Sequence, residues 1–199
     1  MQLFAEGLWA VRLPCTLALF VPGLIPLLTS RRNAPVAVTA YLLAASIVFW
    51  LRATGDWFDS PEGVVAVLVG LAVIAAAIAT WRIENKRSAA IGGTVVGTAS
   101  AWLWIPCVGR NLGNLLNDAT SQGSLALLPR FGIYVGSVCA LLIVIALIPF
   151  AWPKITTVRD HDRTQFVGLA IGGLLGLAIA VGLYDNIVAE LARISLRIQ

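Results

Sequence analysis

The sequence predicts an all-α, polytopic membrane protein of six transmembrane helices, arranged as two inverted three-helix repeats. Three observations predict it. Of the 199 residues, 59% are hydrophobic and 12% charged, with a mean hydropathy of +0.87, whereas a soluble domain carries about 25% charged residues. The apolar residues gather into six runs separated by charged or polar stretches, and a chain of this length holds about six spans of around 20 residues each. The same apolar-Pro-Cys tripeptide stands in the first run as Leu13-Pro14-Cys15 and in the fourth as Ile105-Pro106-Cys107. Residues 1–199 are therefore read as one membrane domain, with repeat one at about 7–82, repeat two at about 88–190, and little chain left for a soluble domain.

Segment one runs from about Gly7 to Thr29 and is stopped by Ser30-Arg31-Arg32-Asn33; Pro22 and Pro26 interrupt it. Its leader carries Glu6 and no Lys or Arg, so a cleaved secretory signal, which needs a positive start, is not expected. Segment two, Pro35 to about Leu51, ends at Arg52 and is followed by a polar loop with Asp56, Trp57, Asp59, Pro61 and Glu62. Segment three, Val64 to Trp81, is rich in Ala and Val and stops at Arg82-Ile83-Glu84-Asn85-Lys86-Arg87. Segment four starts near Ala89 and reaches the Pro106-Cys107 break. Arg110, Asn111, Asn114, Asn117 and Asp118 then make a polar continuation, read either as the mouth of a site or as a wet helix end. Segment five spans about Leu125 to Trp152, with Pro129 in its first turn and Pro153 closing it. Segment six, Phe166 to about Tyr184, follows the charged loop from Lys154 to Arg163. Its Gly168, Gly172 and Gly176 recur every four residues, which lets another helix approach closely.

The charges orient the bundle. Eight cations, Arg31, Arg32, Arg82, Lys86, Arg87, Lys154, Arg159 and Arg163, lie in the connections after segments one, three and five. The other six, Arg12, Arg52, Arg110, Arg130, Arg193 and Arg197, are spread thinly. By the positive-inside rule the odd connections are cytoplasmic and both termini lie outside the inner (cytoplasmic) membrane. All seven tryptophans fall near segment ends or breaks, as interfacial anchors do. The net charge of +4 is thus an orientation signal, and no nucleic-acid partner is expected; the partner of most of this surface is membrane lipid.

With three spans per unit, the second unit crosses the membrane with opposite polarity, and an inverted repeat puts its working site on broken helices at the interface between units. A proline inside a span removes one backbone donor and frees a carbonyl, which lipid tolerates only where protein or water satisfies it. Two thiols brought together beside such breaks can cycle between dithiol and disulfide, which takes a thiolate and an accessible sulfur. Arg12, three residues before Cys15, and Arg110, three residues after Cys107, share a face with the thiols if the backbone there is helical and favour their deprotonation. The competing reading is that these cysteines are small buried hydrophobes and the prolines simple kinks. Cys139, in the middle of segment five, has no adjacent proline or charge and is read as core packing.

The strings PCTLALFVPG and WIPCVGRNLGNLL, residues 14–23 and 104–116, resemble the two cysteine motifs of the transmembrane thiol-disulfide transporters of the CcdA and DsbD type, the membrane region of cytochrome c biogenesis proteins. The six-span, two-unit layout is similar too, and Ser121-Gln122-Gly123 adds weaker support. The resemblance implies that Cys15 and Cys107 form a reversible disulfide, with Pro14 and Pro106 as helix breakers and Pro22-Gly23 and Gly109 as matching backbone positions. It implies electron transfer from cytoplasmic thioredoxin to extracytoplasmic thioredoxin-like proteins, an oxidoreductase activity that needs no cofactor. Where that family has a second proline three residues after each cysteine, this chain has Ala18 and Arg110, so that Arg110 brings a permanent charge.

Two other classes stay open. A small solute or soft-metal transporter would use the two thiolates as ligands. Against it, the only Met is Met1, no His or carboxylate lies inside a span, and His161 between Asp160 and Asp162 reads as solvated loop charge. A non-catalytic subunit or assembly factor of a larger membrane complex would use the cysteines for packing. The sequence holds no phosphate-binding loop and no serine-triad pattern.

Overall fold

The computed structural model describes residues 2–10, 16–30, 33–55, 62–83, 85–103, 110–122, 125–151 and 161–198. Every regular element among them is helical. The helices are α1 (Gln2–Ala10), α2 (Leu17–Thr29), α3 (Ala34–Thr54), α4 (Gly63–Arg82), α5 (Lys86–Leu103), α6 (Arg110–Gln122), α7 (Leu128–Val138), α8 (Ala140–Ala151), α9 (His161–Ala180) and α10 (Leu183–Ile198), with a 3-10 turn at Leu125–Leu127.

Helices α3 and α4 are long and apolar enough to cross a membrane, and α7 with α8 makes a third such span if the bent pair is counted as one. Helix α2 and the Thr164–Ala180 stretch of α9 are shorter apolar helices. The outer face of α4 leaves Val64, Val65, Leu68, Leu71 and Ile78 exposed. A contiguous apolar surface of that kind suits lipid and not water. Trp81, at the end of α4, stacks under the Arg82 guanidinium at 5.2 Å, an amphipathic pair of the kind found at membrane interfaces.

In an apolar solvent helices gain little by hiding apolar faces, so close packing through small residues must hold them together. The contacts follow that rule. A methyl group added at Gly93 or Gly97 of α5 would fall onto the carbonyl oxygen of Ala37 or Tyr41 in α3. The register rises in both chains, so α3 and α5 run parallel. On the other side, a methyl at Gly176 of α9 would stand 2.6 Å from the Gly70 carbonyl of α4, and one at Gly172 would stand 2.7 Å from Ala77 Cβ. Here the register falls as it rises, so α4 and α9 are antiparallel. Gly168 and Gly172 of α9 also meet Leu28, Thr29 and Ile25, which makes α9 antiparallel to α2. Thr29 and Thr80 hydroxyls, 2.8 Å apart, fasten α2 to α4.

Three elements differ from the sequence reading. Pro22 and Pro26 do not interrupt the first segment where they stand, because α2 runs through both. Segment five is not one straight helix: α7 and α8 are bent by 69° about Cys139. No proline stands there. A Gly136-Ser137 pair precedes the bend, and the Ser137 hydroxyl donates back to the Tyr134 carbonyl at 2.7 Å, a combination that bends helices. Beyond segment six the chain turns at Gly182, whose φ of +72° suits glycine, and continues as the amphipathic α10.

Candidate functional site

Of the residues singled out in the sequence, Arg12, Pro14, Cys15, Pro106, Cys107 and Gly109 lie outside the described residues, and so does the side chain of Arg110, the first residue of α6. What the structure describes is a set of groups flanking the two Pro-Cys strings. On the first string the flank is Thr16 and α2; on the second it is the end of α5 and the start of α6.

The two flanks are joined through one tyrosine. Tyr41, fully buried in α3, donates its hydroxyl to the Leu19 carbonyl of α2, and Ser100 of α5 donates to the Tyr41 oxygen at 3.0 Å. Leu19 follows Cys15 by four residues and Ser100 precedes Cys107 by seven. Two hydrogen bonds thus connect the chain leaving the first Pro-Cys with the chain entering the second. Gly23 of α2 makes room for this: a methyl there would stand 3.3 Å from Cε1 of the Tyr41 ring. Buried polar groups in a bundle are stabilising when each finds a partner, and costly otherwise.

The carbonyl that Pro22 frees is taken up in the same manner. Pro22 has no N–H to offer Ala18, four residues back. Tyr184, from α10 at the far end of the chain, donates its hydroxyl to that Ala18 carbonyl at 2.9 Å. This is why α2 continues through Pro22.

Arg52 is the third such group. Its position at the end of segment two reads as a span boundary, where a long cationic side chain would extend toward water. The structure turns it inward: Arg52 is 1% exposed, the largest fully buried side chain described, and its Nη1 donates to the Ala101 carbonyl of α5 at 2.6 Å. Tyr41, Ser100, Arg52 and Tyr184 carry the polar architecture around the two strings, and none of them was singled out from the sequence. Only Arg52 had a local signal, as a charged residue adjoining an apolar run.

Cys139 is buried at the α7–α8 bend. Among the described residues no group of three His, Cys, Asp or Glu side chains is placed to hold a metal ion. A cleft of about 300 Å³ opens between α3 and the bent pair, lined by Val38, Leu42, Ser46, Gly132, Gly136 and Ile143 among others.

Set against known protein families, curated proteins and solved structures, the chain matches none.

Proposed function

We propose that the chain is a six-span protein of the inner (cytoplasmic) membrane, both termini outside. In this reading Cys15 and Cys107 pass reducing equivalents by thiol-disulfide exchange from cytoplasmic thioredoxin to extracytoplasmic thioredoxin-like proteins, as the resemblance to the CcdA and DsbD type implies. The observation that carries this reading is the Leu19–Tyr41–Ser100 hydrogen-bond chain, because it ties together the flanks of the two Pro-Cys strings across three helices.

The two-repeat layout has its own support in the packing. Exchanging segments one, two and three with four, five and six maps the packing of segment two on four onto that of five on one, and the packing of one on six onto that of four on three, while α2 on α3 has no such counterpart among the described residues. Helices α4 and α9 belong to segments three and six, and they meet glycine to glycine, Gly70 and Gly176 each facing the other's carbonyl. Gly97 of segment four sits on the Tyr41 carbonyl of segment two. In the exchanged pair, Gly7 of segment one faces Tyr134 of segment five, where an added methyl would stand 3.1 Å from the carbonyl. The packing of α2 on α9 is answered by that of α5 on α4. The helix directions read from these contacts also alternate as successive spans would.

The two thiols of a reduced partner give up two electrons and two protons as they form their own disulfide, and the Cys15–Cys107 disulfide accepts both and becomes a dithiol. A mass-tagging alkylation of native membranes, before and after reduction and in each Cys-to-Ser variant, tests it. A Cys15–Cys107 disulfide that disappears on addition of thioredoxin is expected. Two free, unreactive thiols would overturn the reading.

A second reading, a non-catalytic subunit of a larger membrane complex, is favoured by the open cleft beside α7. Among the described residues Gly136 there has nothing within 4 Å of an added methyl group, and Gly132 only Ser46 Oγ at 3.9 Å, so neither glycine is held by close packing against those residues. If that reading holds, replacing both cysteines by serine leaves the host complex fully active.

A further inference from the structure

We propose that the cleft between α3 and the bent α7–α8 pair is a binding site for one unbranched acyl chain of a membrane phospholipid. The inference stands apart from the thiol-exchange reading and uses none of its residues. The packing shows how the cleft arises. Near one end of it α3 and α7 close on each other through Phe49 and Phe131, whose rings meet edge to face at 5.2 Å. The α7 wall then presents Gly132 and Gly136, which project no side chain, and past the 69° bend the wall continues as Ile143 and Ala146 of α8. The opposite wall is one stripe of α3, formed by Pro35, Val38, Leu42 and Ser46.

The dimensions select the occupant. Pro35 and Ser46 are eleven residues apart on one helix, so the stripe is about 17 Å long. A volume of about 300 Å³ over that length leaves a section of about 18 Å². Apolar groups in contact stand about 4.0–4.5 Å apart, so a single polymethylene chain takes a section of about 16–20 Å². At about 1.3 Å per carbon along the chain, the cleft holds about 13 of them. A methyl-branched chain exceeds that section at every branch. A helix with its side chains is about 10 Å across, a section of about 80 Å², and does not enter. Water would need about two to four polar partners. The walls carry only Thr39 and Ser46 as polar side chains, and the Ser46 hydroxyl already donates to the Leu42 carbonyl at 2.7 Å. Leu43 and Leu147 stand exposed at the rim, and both walls belong to elements long and apolar enough to cross a membrane, so the cleft opens sideways into hydrocarbon. Lipid already keeps an acyl chain from water, so what the cleft adds is contact. A chain inside it touches protein on both walls, whereas an empty cleft forfeits the dispersion contacts of its lining.

The test uses full-length wild type, Gly136→Leu and Gly173→Leu in phosphatidylcholine vesicles. The vesicles carry a trace of phosphatidylcholine with a photoactivatable diazirine midway along one acyl chain, and labelled residues are mapped by peptide mass spectrometry. Leu68, on the exposed face of α4, reports ordinary contact with the bilayer. Leu42 and Ile143, half-buried on opposite walls, report the cleft. In wild type both sets are expected to be labelled. A fluid chain gives way to one added methyl, so the blocking variant carries a leucine: in Gly136→Leu the label at Leu42 and Ile143 is expected to be lost, with Leu68 unchanged. Gly173 of α9 likewise has nothing within 4 Å of an added methyl among the described residues, and Gly173→Leu is expected to keep both labels. A second probe with a methyl-branched acyl chain is expected to label Leu68 in wild type and to leave Leu42 and Ile143 unlabelled. An unlabelled cleft in wild-type vesicles overturns the proposal, as does a label undiminished in Gly136→Leu or equal labelling of the cleft by the branched probe. So does a cleft that is labelled in vesicles and silent in native membranes, because a partner helix then covers it.

Discussion

Helix α2 contains two prolines and continues through both; the α7–α8 pair has no proline near its bend and turns by 69°. The contrast shows that a proline is a missing donor first and a break second. In α2 the Ala18 carbonyl freed by Pro22 receives the Tyr184 hydroxyl. The surrounding helices supply what the proline withholds, so the helical path remains the lowest in free energy. In α7 the Gly136-Ser137 pair weakens the helix locally, and the Ser137 hydroxyl is spent on Tyr134 within its own turn. The bend then follows from this local chemistry.

The largest test of this comparison lies where the two regions touch. Gly23 of α2 faces Leu142 of α8 and the Tyr41 ring, so Gly23→Val forces the two helices apart at a site with no spare volume. A loss of about 3 kcal/mol is expected, seen as a large drop in thermal midpoint in detergent. A midpoint within error of wild type would mean that α2 and α8 do not meet there.

Tyr184→Phe comes next. It leaves the Ala18 carbonyl buried and unpaired, for about 1–2 kcal/mol of destabilisation by the same assay. The double variant sharpens the point, because Pro22→Ala restores a backbone donor to Ala18. In that background the cost of Tyr184→Phe is expected to fall below about 0.5 kcal/mol. Equal costs in both backgrounds would separate Tyr184 from the proline and undo the account of α2.

The smallest effect carries the opposite sign. Gly136→Ala adds a methyl into open space and removes one member of the Gly-Ser pair, so it is expected to stabilise by about 0.5–1 kcal/mol. A destabilised Gly136→Ala protein would show that the space beside Gly136 is already filled, which would favour the complex-subunit reading.

The residues of the candidate site divide along the same line. Residue identity and spacing alone single out Cys15, Cys107, their prolines and the two neighbouring arginines, since thiols and prolines carry their chemistry wherever they fall. The groups that flank them do not announce themselves. Tyr41 and Ser100 are ordinary members of apolar runs, and Tyr184 reads as the end of segment six. Helix α10 was missed because its Tyr184, Ile187, Val188 and Leu191 alternate with polar residues. That is a helical stripe and not the continuous apolar run by which a span is recognised.

Composition and hydropathy by themselves determined the helical class and two of its longest elements. Segments two and three, read as Pro35–Leu51 and Val64–Trp81, became Ala34–Thr54 and Gly63–Arg82. Those helices are local objects: in an apolar solvent each must satisfy its own backbone, so an uninterrupted apolar run is sufficient to specify one. The tertiary structure alone decided that α2 survives Pro22 and that Arg52 points inward. Each depends on a donor and an acceptor brought together from afar, such as Tyr184 and Ala18, 166 residues apart, and a pairing at that separation leaves no periodic trace in the chain.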